Sequence, residues 1–480
     1  MRKIILSTTV LGDGTGDFHH LLGIVKALKS KQSMNGFEFV ILVATQWKET
    51  ISYFEQCLIN LGVKFYLSTQ KDFKKDFLND QSLINDLKEA EQIIRISADR
   101  GIVDRDDDFK KHFNPDVKVT YIGEHERTSS FSNLPTFSLG LGGEAFGLKL
   151  EHINKVNSVE ALQVFQENDP LFANDLLTFT QSNNADDLFS NNILIPAYFN
   201  KRLPFTRMLE LLAINDNLPI NKNIIVSLSG EQGDDYFEDL ESFTSKDPYF
   251  MNSSIKEVTK INGLTKQISS FVVNPNGSRS IYIFDNYKVS DKSYLTMHQQ
   301  SMFDGVSGDN TLELAISAKS LPYYHSTNAG AKEDTLRSLI KIIKNLDLPE
   351  KIKHDFVTYF ENLSAWCQRV DRYVIQKDLQ EIYEKYKKLD LPKMMEIWPV
   401  VADYLIKHYN FYDRLDSIIT GKLVNNNEHY FESSNKSMAQ LISTYNTSPS
   451  ATHPVYAPCS LPSSNNSSNS TDASHQLTQT

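Results

Sequence analysis

The sequence predicts an α/β protein of two Rossmann-like units facing a cleft, followed by a helical block and a polar tail. Three observations predict it. Between Lys3 and Gly123, short β-rich runs alternate with runs of helical spacing. That alternation lapses near Gly140 and restarts at Asn192. From Glu333 to Leu423 the apolar residues keep helical spacing alone. Strands alternating with helices in this way build a doubly wound parallel sheet, because each parallel strand needs a long crossover.

The elements follow in order. Lys3–Val10 is a first strand, Gly12–Asp17 a glycine- and aspartate-rich turn, and His20–Lys29 a helix through Leu21, Leu22, Val25 and Leu28. Phe37–Thr45 is nearly continuous in apolar residues, as a strand covered on both faces should be. A helix over Lys48–Leu61, a strand at Val63–Ser68, a helix over Gln81–Ala90 and strands at Gln92–Ser97 and Val117–Gly123 complete the first unit. Gly140–Gly143 and the polar Gln181–Asp187 mark a boundary region. Strands at Asn192–Tyr198, Asn223–Ser229 and Arg279–Asn286 alternate with a helix over Phe205–Ile214 and one opening near Asn310. Leu336, Leu339, Ile340 and Ile343 begin the helical block, which Val370–Tyr386 and Met394–Tyr409 continue. From about Ser434 the chain is dominated by Ser, Asn, Thr and Pro, which cannot bury enough apolar surface to fold. The expected divisions are 1–188, 189–332, 333–423 and 424–480. Two Rossmann-like units facing one another leave a ligand cleft at the carboxyl ends of their strands.

Composition narrows the function. A hydrophobic share of 40% supplies large cores and excludes a wholly disordered chain. The net charge of −11, without a long basic run, excludes a duplex nucleic-acid binder, since phosphates demand Lys and Arg. Cys57, Cys367 and Cys459 are far apart and form neither a disulfide framework nor a metal-binding pair, which fits a reducing compartment. No apolar run reaches the roughly 18–20 residues of a membrane span. Met1–Val10 reads as a strand, not a signal peptide.

The turn Gly12-Asp13-Gly14-Thr15-Gly16-Asp17 precedes His19 and His20. Its glycines let the backbone turn sharply and approach a ligand. It lacks the GxGxxG dinucleotide fingerprint, and its carboxylates would repel a pyrophosphate. Paired carboxylates at such a turn suit proton transfer: one accepts a proton from a nucleophile while the other orients it. The alternatives are an ordinary N-cap and a partial calcium loop, although Ile24 stands where an EF-hand needs its glutamate.

Met297–Asn328 is the most informative stretch. A helix-like piece ends in Phe303-Asp304-Gly305, and the turn Ser307-Gly308-Asp309-Asn310-Thr311 leads into a helix. Small residues opening a helix offer amides and a positive dipole end to a diphosphate. Thr311 can add a hydroxyl, Glu313 can accept from a ribose or sugar hydroxyl, and Tyr323 and Tyr324 can stack on a base or sugar. Caps and core tyrosines are the plainer reading of each residue singly.

The order of these features resembles the donor half of the two-domain, GT-B glycosyltransferases, with Ser307–Glu313 and the Ala318-Lys319-Ser320-Leu321-Pro322 step aligning to it. Asp13-x-x-Gly16-Asp17 resembles the Asp-x-x-Gly-Asp turn of the bacterial protein-arginine rhamnosyltransferases, inverting enzymes in which those aspartates line the acceptor site. Their donor turn is Arg-Gly-Glu-Asp-Ser, which differs here at the arginine and the glutamate, so the donor sugar stays open. The resemblance implies an acceptor-side first unit, with Gly14, Thr15, Gly16 and His19 beside the acceptor. It implies a second unit that binds a nucleotide sugar as co-substrate. It further implies Asp17 or Asp13 as base, inversion, no metal or other cofactor, and an acceptor that can be a protein side chain.

Lys201 and Arg202 are the candidate cations for the diphosphate, with a solvated pair as the plain alternative. Gly230–Asp235 and Glu124–Arg127 can face the cleft or be polar loops. Asp104–Asp108, with four carboxylates in five residues, reads as a solvated loop. The competing functions are a sugar-nucleotide epimerase on the same architecture and a non-enzymatic two-domain binding protein. Ser474–Thr480 loosely resembles C-terminal export signals of bacterial effectors, which extends the expected location from the cytoplasm to export into a host cell. A tail of no consequence is the commoner explanation.

Overall fold

A computed structural model describes residues 2–10, 16–69, 73–96, 111–123, 136–142, 145–199, 201–230, 236–325, 331–367 and 376–420. Asp13, Gly14, Thr15, the Asp104–Asp108 run, Glu124–Arg127, Glu231–Asp235 and the tail lie outside the described residues.

The first unit contains β1 (Arg2–Val10), α1 (Gly16–Ser30), β2 (Phe37–Thr45), α2 (Ile51–Leu61), β3 (Lys64–Ser68), α3 (Phe73–Leu78), α4 (Gln81–Glu89), β4 (Ala90–Ile96), β5 (Lys118–Gly123) and β6 (Thr136–Ser138). Its strands are parallel and ordered β3-β2-β1-β4-β5-β6, the doubly wound arrangement. Period-two alternation explains the apolar run of β2. Phe39, Ile41 and Val43 join Ile4, Leu6 and the inner faces of α1 and α2. Val40, Leu42 and Ala44 join Ile5 and the α4 residues Leu83 and Leu87 on the other face. Asp80 caps α4, accepting from the Ser82 and Leu83 amides.

Three helices follow: α5 (Ser158–Asn168), α6 (Pro170–Phe179) and α7 (Ala185–Asn191). They occupy the stretch that reads as an irregular boundary in sequence. The second unit contains β7 (Asn192–Tyr198), α8 (Arg202–Ile214), β8 (Asn223–Ser229), α9 (Tyr236–Thr244), α10 (Pro248–Met251), β9 (Ile255–Asn262), β10 (Ile268–Val272), β11 (Arg279–Asp285), α11 (Asp291–Gln300), β12 (Phe303–Val306), α12 (Asp309–Ser317) and β13 (Leu321–Tyr324). The sheet is ordered β10-β9-β11-β8-β7-β12-β13 and is parallel except for the β9–β10 hairpin. Phe303–Gly305, expected as the end of a helix-like piece, lies with Val306 in a strand, Phe303–Val306: α11 stops at Gln300 and Ser301 turns the chain.

The helical block is α13 (Ala331–Asn345), α14 (Glu350–Cys367), α15 (Gln376–Lys388) and α16 (Leu391–His408). It buries Tyr359, Trp366, Tyr386 and Trp398 in one core with α8 and α12 of the second unit. The last described helix, α17 (Phe411–Ile419), leaves the block. Its Phe411, Leu415 and Ile418 pack with α1 in the core of the first unit. Among the described residues no helix is long and apolar enough to cross a membrane.

Candidate site at the carboxyl edges of the two sheets

In an open parallel sheet a ligand crevice forms where the chain switches from building one side of the sheet to building the other. In the first sheet that switch lies between β1 and β4, and α1 starts beyond the carboxyl end of β1. In the second it lies between β7 and β12, and α12 starts directly after β12. The two turns singled out in sequence therefore sit at equivalent places in the two units.

The structure brings the first turns of α1 and α12 together. A Cβ built on Gly16, the first residue of α1, would stand 3.7 Å from Asn310 Nδ2 in the first turn of α12. Asp17 is half-buried in the first turn of α1. His19 is exposed, with Nε2 3.2 Å from the Tyr53 hydroxyl. Loss of solvation in the crowded cleft lowers the His19 pKa, and the ammonium groups of Lys26 and Lys149 lower it further. Across the cleft, Gly308 caps α12, and Tyr198 at the end of β7 comes within 3.8 Å of its Cβ position.

Several expected roles are corrected. Tyr323 and Tyr324 present no face to a ligand: both are fully buried on β13. Tyr323 packs edge-on to Phe199 and its hydroxyl meets Cys367 Sγ at 3.3 Å. The Tyr324 hydroxyl donates to Asp309 Oδ1, so Asp309 is held from beneath. Thr311 is part of the helix cap, donating to the Gly308 carbonyl at 2.7 Å and accepting from the Gly308 amide at 3.2 Å. Ser307 is buried. Arg202 is paired with Asp239 of α9. Lys201 is exposed at the N-cap of α8. Gly230 has a backbone reason for being glycine: φ is +99° and a Cβ would meet the Phe199 carbonyl oxygen at 2.2 Å.

Glu313 has a partner that its sequence neighbourhood does not suggest. It is buried, and its carboxylate faces Lys149, which lies on the segment joining the two units. Lys149 Nζ stands 3.2 Å from Glu313 Oε2, and the Lys149 amide donates to Oε1 at 2.9 Å. Lys149 Nζ also donates to Asn310 Oδ1 at 2.7 Å. Burial raises the Glu313 carboxyl to about 7 against the opposing pull of Lys149. Two residues on, the Glu151 amide donates to Ser317 Oγ at 3.0 Å, so the joining segment is fastened along α12. Lys149 went unremarked in sequence because it stands in an irregular stretch, and its partner is 164 residues away.

No protein-family model matches the chain, and no curated protein matches it. Solved structures resemble it in fold. A glycosyltransferase from Rickettsia africae ESF-5 has a TM-score of 0.41 at 10% identity, over 90% of this chain and 99% of that one. The lipopolysaccharide outer core galactosyltransferase WaaB, in its apo form, has a TM-score of 0.41 at 11% identity, over 88% and 100%. A putative UDP-N-acetylglucosamine 2-epimerase from Listeria monocytogenes has a TM-score of 0.36 at 12% identity, over 90% and 97%.

Proposed function

We propose that the chain is a glycosyltransferase that moves a sugar from a nucleotide-sugar donor to an acceptor, with inversion and without a metal ion. The observation that carries this reading is the meeting of the α1 and α12 first turns at Gly16 and Asn310. It joins, at the switch points of two separate sheets, the two short motifs that resemble the acceptor and donor turns of one enzyme class.

The chemistry suits such a place. The first turns of both helices meet there, and the free amides and positive dipole ends of helix N-termini favour a diphosphate carried by the donor and released as leaving group. Asp17 stands on the α1 side of that gap. Inversion requires the acceptor to enter from the face of the sugar opposite the diphosphate. In this reading the carboxylate belongs to the first unit and the diphosphate is held by the second, so the two approach the sugar from opposite faces. Asp17, or Asp13 four residues earlier, takes the acceptor proton as the new glycosidic bond forms. A protein side chain is one acceptor this arrangement admits.

The test is transfer itself. Purified protein is incubated with UDP-, GDP- and thymidine-diphosphate sugars and a panel of peptide acceptors, and glycosylated product and released nucleoside diphosphate are followed by mass spectrometry. One donor should give both, and Asp17→Asn should keep donor binding while lowering kcat by about 100-fold or more. Interconversion of the free nucleotide sugar without transfer would replace this reading with an epimerase. Full transfer by both Asp17→Asn and Asp13→Asn would remove the base assignment.

A further inference from the structure

We propose that Lys149 is the cation that meets the donor diphosphate, and that Glu313 holds its place while the cleft is empty. This rests on the glycosyltransferase reading and adds a ligand group that neither the sequence motifs nor the resemblance supplies.

The geometry of the ammonium carries the inference. Lys149 comes from neither motif, yet its Nζ lies against the first turn of α12, beside Asn310 Oδ1 and Glu313 Oε2. An ammonium has three protons to donate. Among the described residues its side-chain partners are Asn310 and Glu313, and Asn310 is exposed. The Asn310 carboxamide has one end toward Lys149 and its nitrogen 3.7 Å from the Cβ position of Gly16. Asn310 therefore links the ammonium to the first turn of α1. His19, exposed on the cleft, already feels the field of Lys149 and of Lys26.

Glu313 completes the device. An unpaired ammonium under a protein surface is costly. In the empty cleft the carboxylate supplies the missing negative charge. When a diphosphate arrives, its oxygens take over as charge-assisted acceptors. Glu313 stays anchored through the Lys149 amide, which holds Oε1 independently of the ammonium. Its elevated pKa lets it take up a proton at little cost once the phosphate has replaced it.

The test is calorimetric titration of the full chain at pH 8, with UDP, GDP, thymidine diphosphate and inorganic pyrophosphate as probes and the parent nucleosides as controls. Lys149→Met should weaken the preferred diphosphate by about 10-fold or more, with nucleoside binding unchanged. Glu313→Gln, which removes the competing anion, should tighten the same diphosphate by about 3-fold or more. Wild-type affinity for the diphosphate in folded Lys149→Met would overturn the inference and leave the glycosyltransferase reading standing. Absence of diphosphate binding by the wild-type protein would overturn both. If Lys149→Met does not fold, Glu313→Gln decides: tighter binding supports the role, and equal or weaker binding ends it.

Discussion

Gly147 and Tyr409 touch where the chain crosses between the two units for the first and the second time. The Leu148 amide donates to the Tyr409 carbonyl at 2.8 Å, and the Phe411 amide donates to the Leu148 carbonyl at 2.8 Å. The two crossings therefore run side by side as a two-stranded strap. Gly147 makes this approach feasible. Its φ is +106°, and a Cβ there would stand 2.2 Å from the Tyr409 carbonyl oxygen. Gly147→Ala combines a disfavoured backbone conformation with a clash against backbone that cannot swing away. It should destabilise the protein by about 2 kcal/mol or more. Urea denaturation followed by circular dichroism measures this, and a loss below about 0.5 kcal/mol would mean that the strap opens freely.

The Glu313 carboxyl gives stability a pH dependence whose sign is fixed by its environment. Its folded-state pKa is raised from 4.5 to about 7, chiefly by burial. The folded chain then binds the proton more tightly than the unfolded chain does. The contribution is fully present below pH 4.5 and is lost as pH rises through 7. Its full size is about 3 kcal/mol. Glu313→Gln keeps an acceptor for the Lys149 amide and removes the titration. Denaturation midpoints of wild type and variant, measured from pH 5 to pH 8, should diverge as pH rises, with the variant the more stable at pH 8. Parallel curves would show that Glu313 does not titrate in that range.

The legible parts of the fold were those where burial writes itself into local sequence. Phe37–Thr45 is apolar on both faces because helices cover both faces of the sheet. Phe303–Val306 was hidden for the opposite reason: it is four residues long and includes Asp304 and Gly305, which have low strand propensity. The β9–β10 hairpin carries a local signal of its own. Asn262-Gly263 is a turn dipeptide, and the Asn262 side chain accepts from the Leu264 and Thr265 amides. At the site, the backbone turns at Gly16 and Gly308 were readable because glycine placement is local. The fates of Tyr323 and Glu313 were not. Tyr323 is buried by α14 through Cys367, and Glu313 by Lys149 from the joining segment. Contacts so distant in sequence leave no pattern around either residue.

Tyr412 and Gly23 offer a sharp test of how α17 is fastened to the first unit. A Cβ on Gly23, in the middle of α1, would stand 2.4 Å from the Tyr412 hydroxyl oxygen. The Tyr412 hydroxyl sits where burial, first, and the charges of Glu313 and Glu151, second, push its pKa well up. The ring thus reaches from α17 across α1 toward the Lys149–Glu313 contact. Gly23→Ala gains intrinsic helix propensity worth about 1 kcal/mol. It also drives a methyl group against the hydroxyl end of a half-buried ring, at a cost of about 1–3 kcal/mol. The net effect should be destabilisation. Tyr412→Phe removes the oxygen that the methyl group strikes. In a double-mutant cycle the two substitutions should therefore be less destabilising together than their sum, by about 1 kcal/mol. Additive effects would place the Tyr412 hydroxyl away from Gly23 in solution, leaving the apolar contacts of Phe411, Leu415, Ile418 and Ile419 to hold α17 to the first unit.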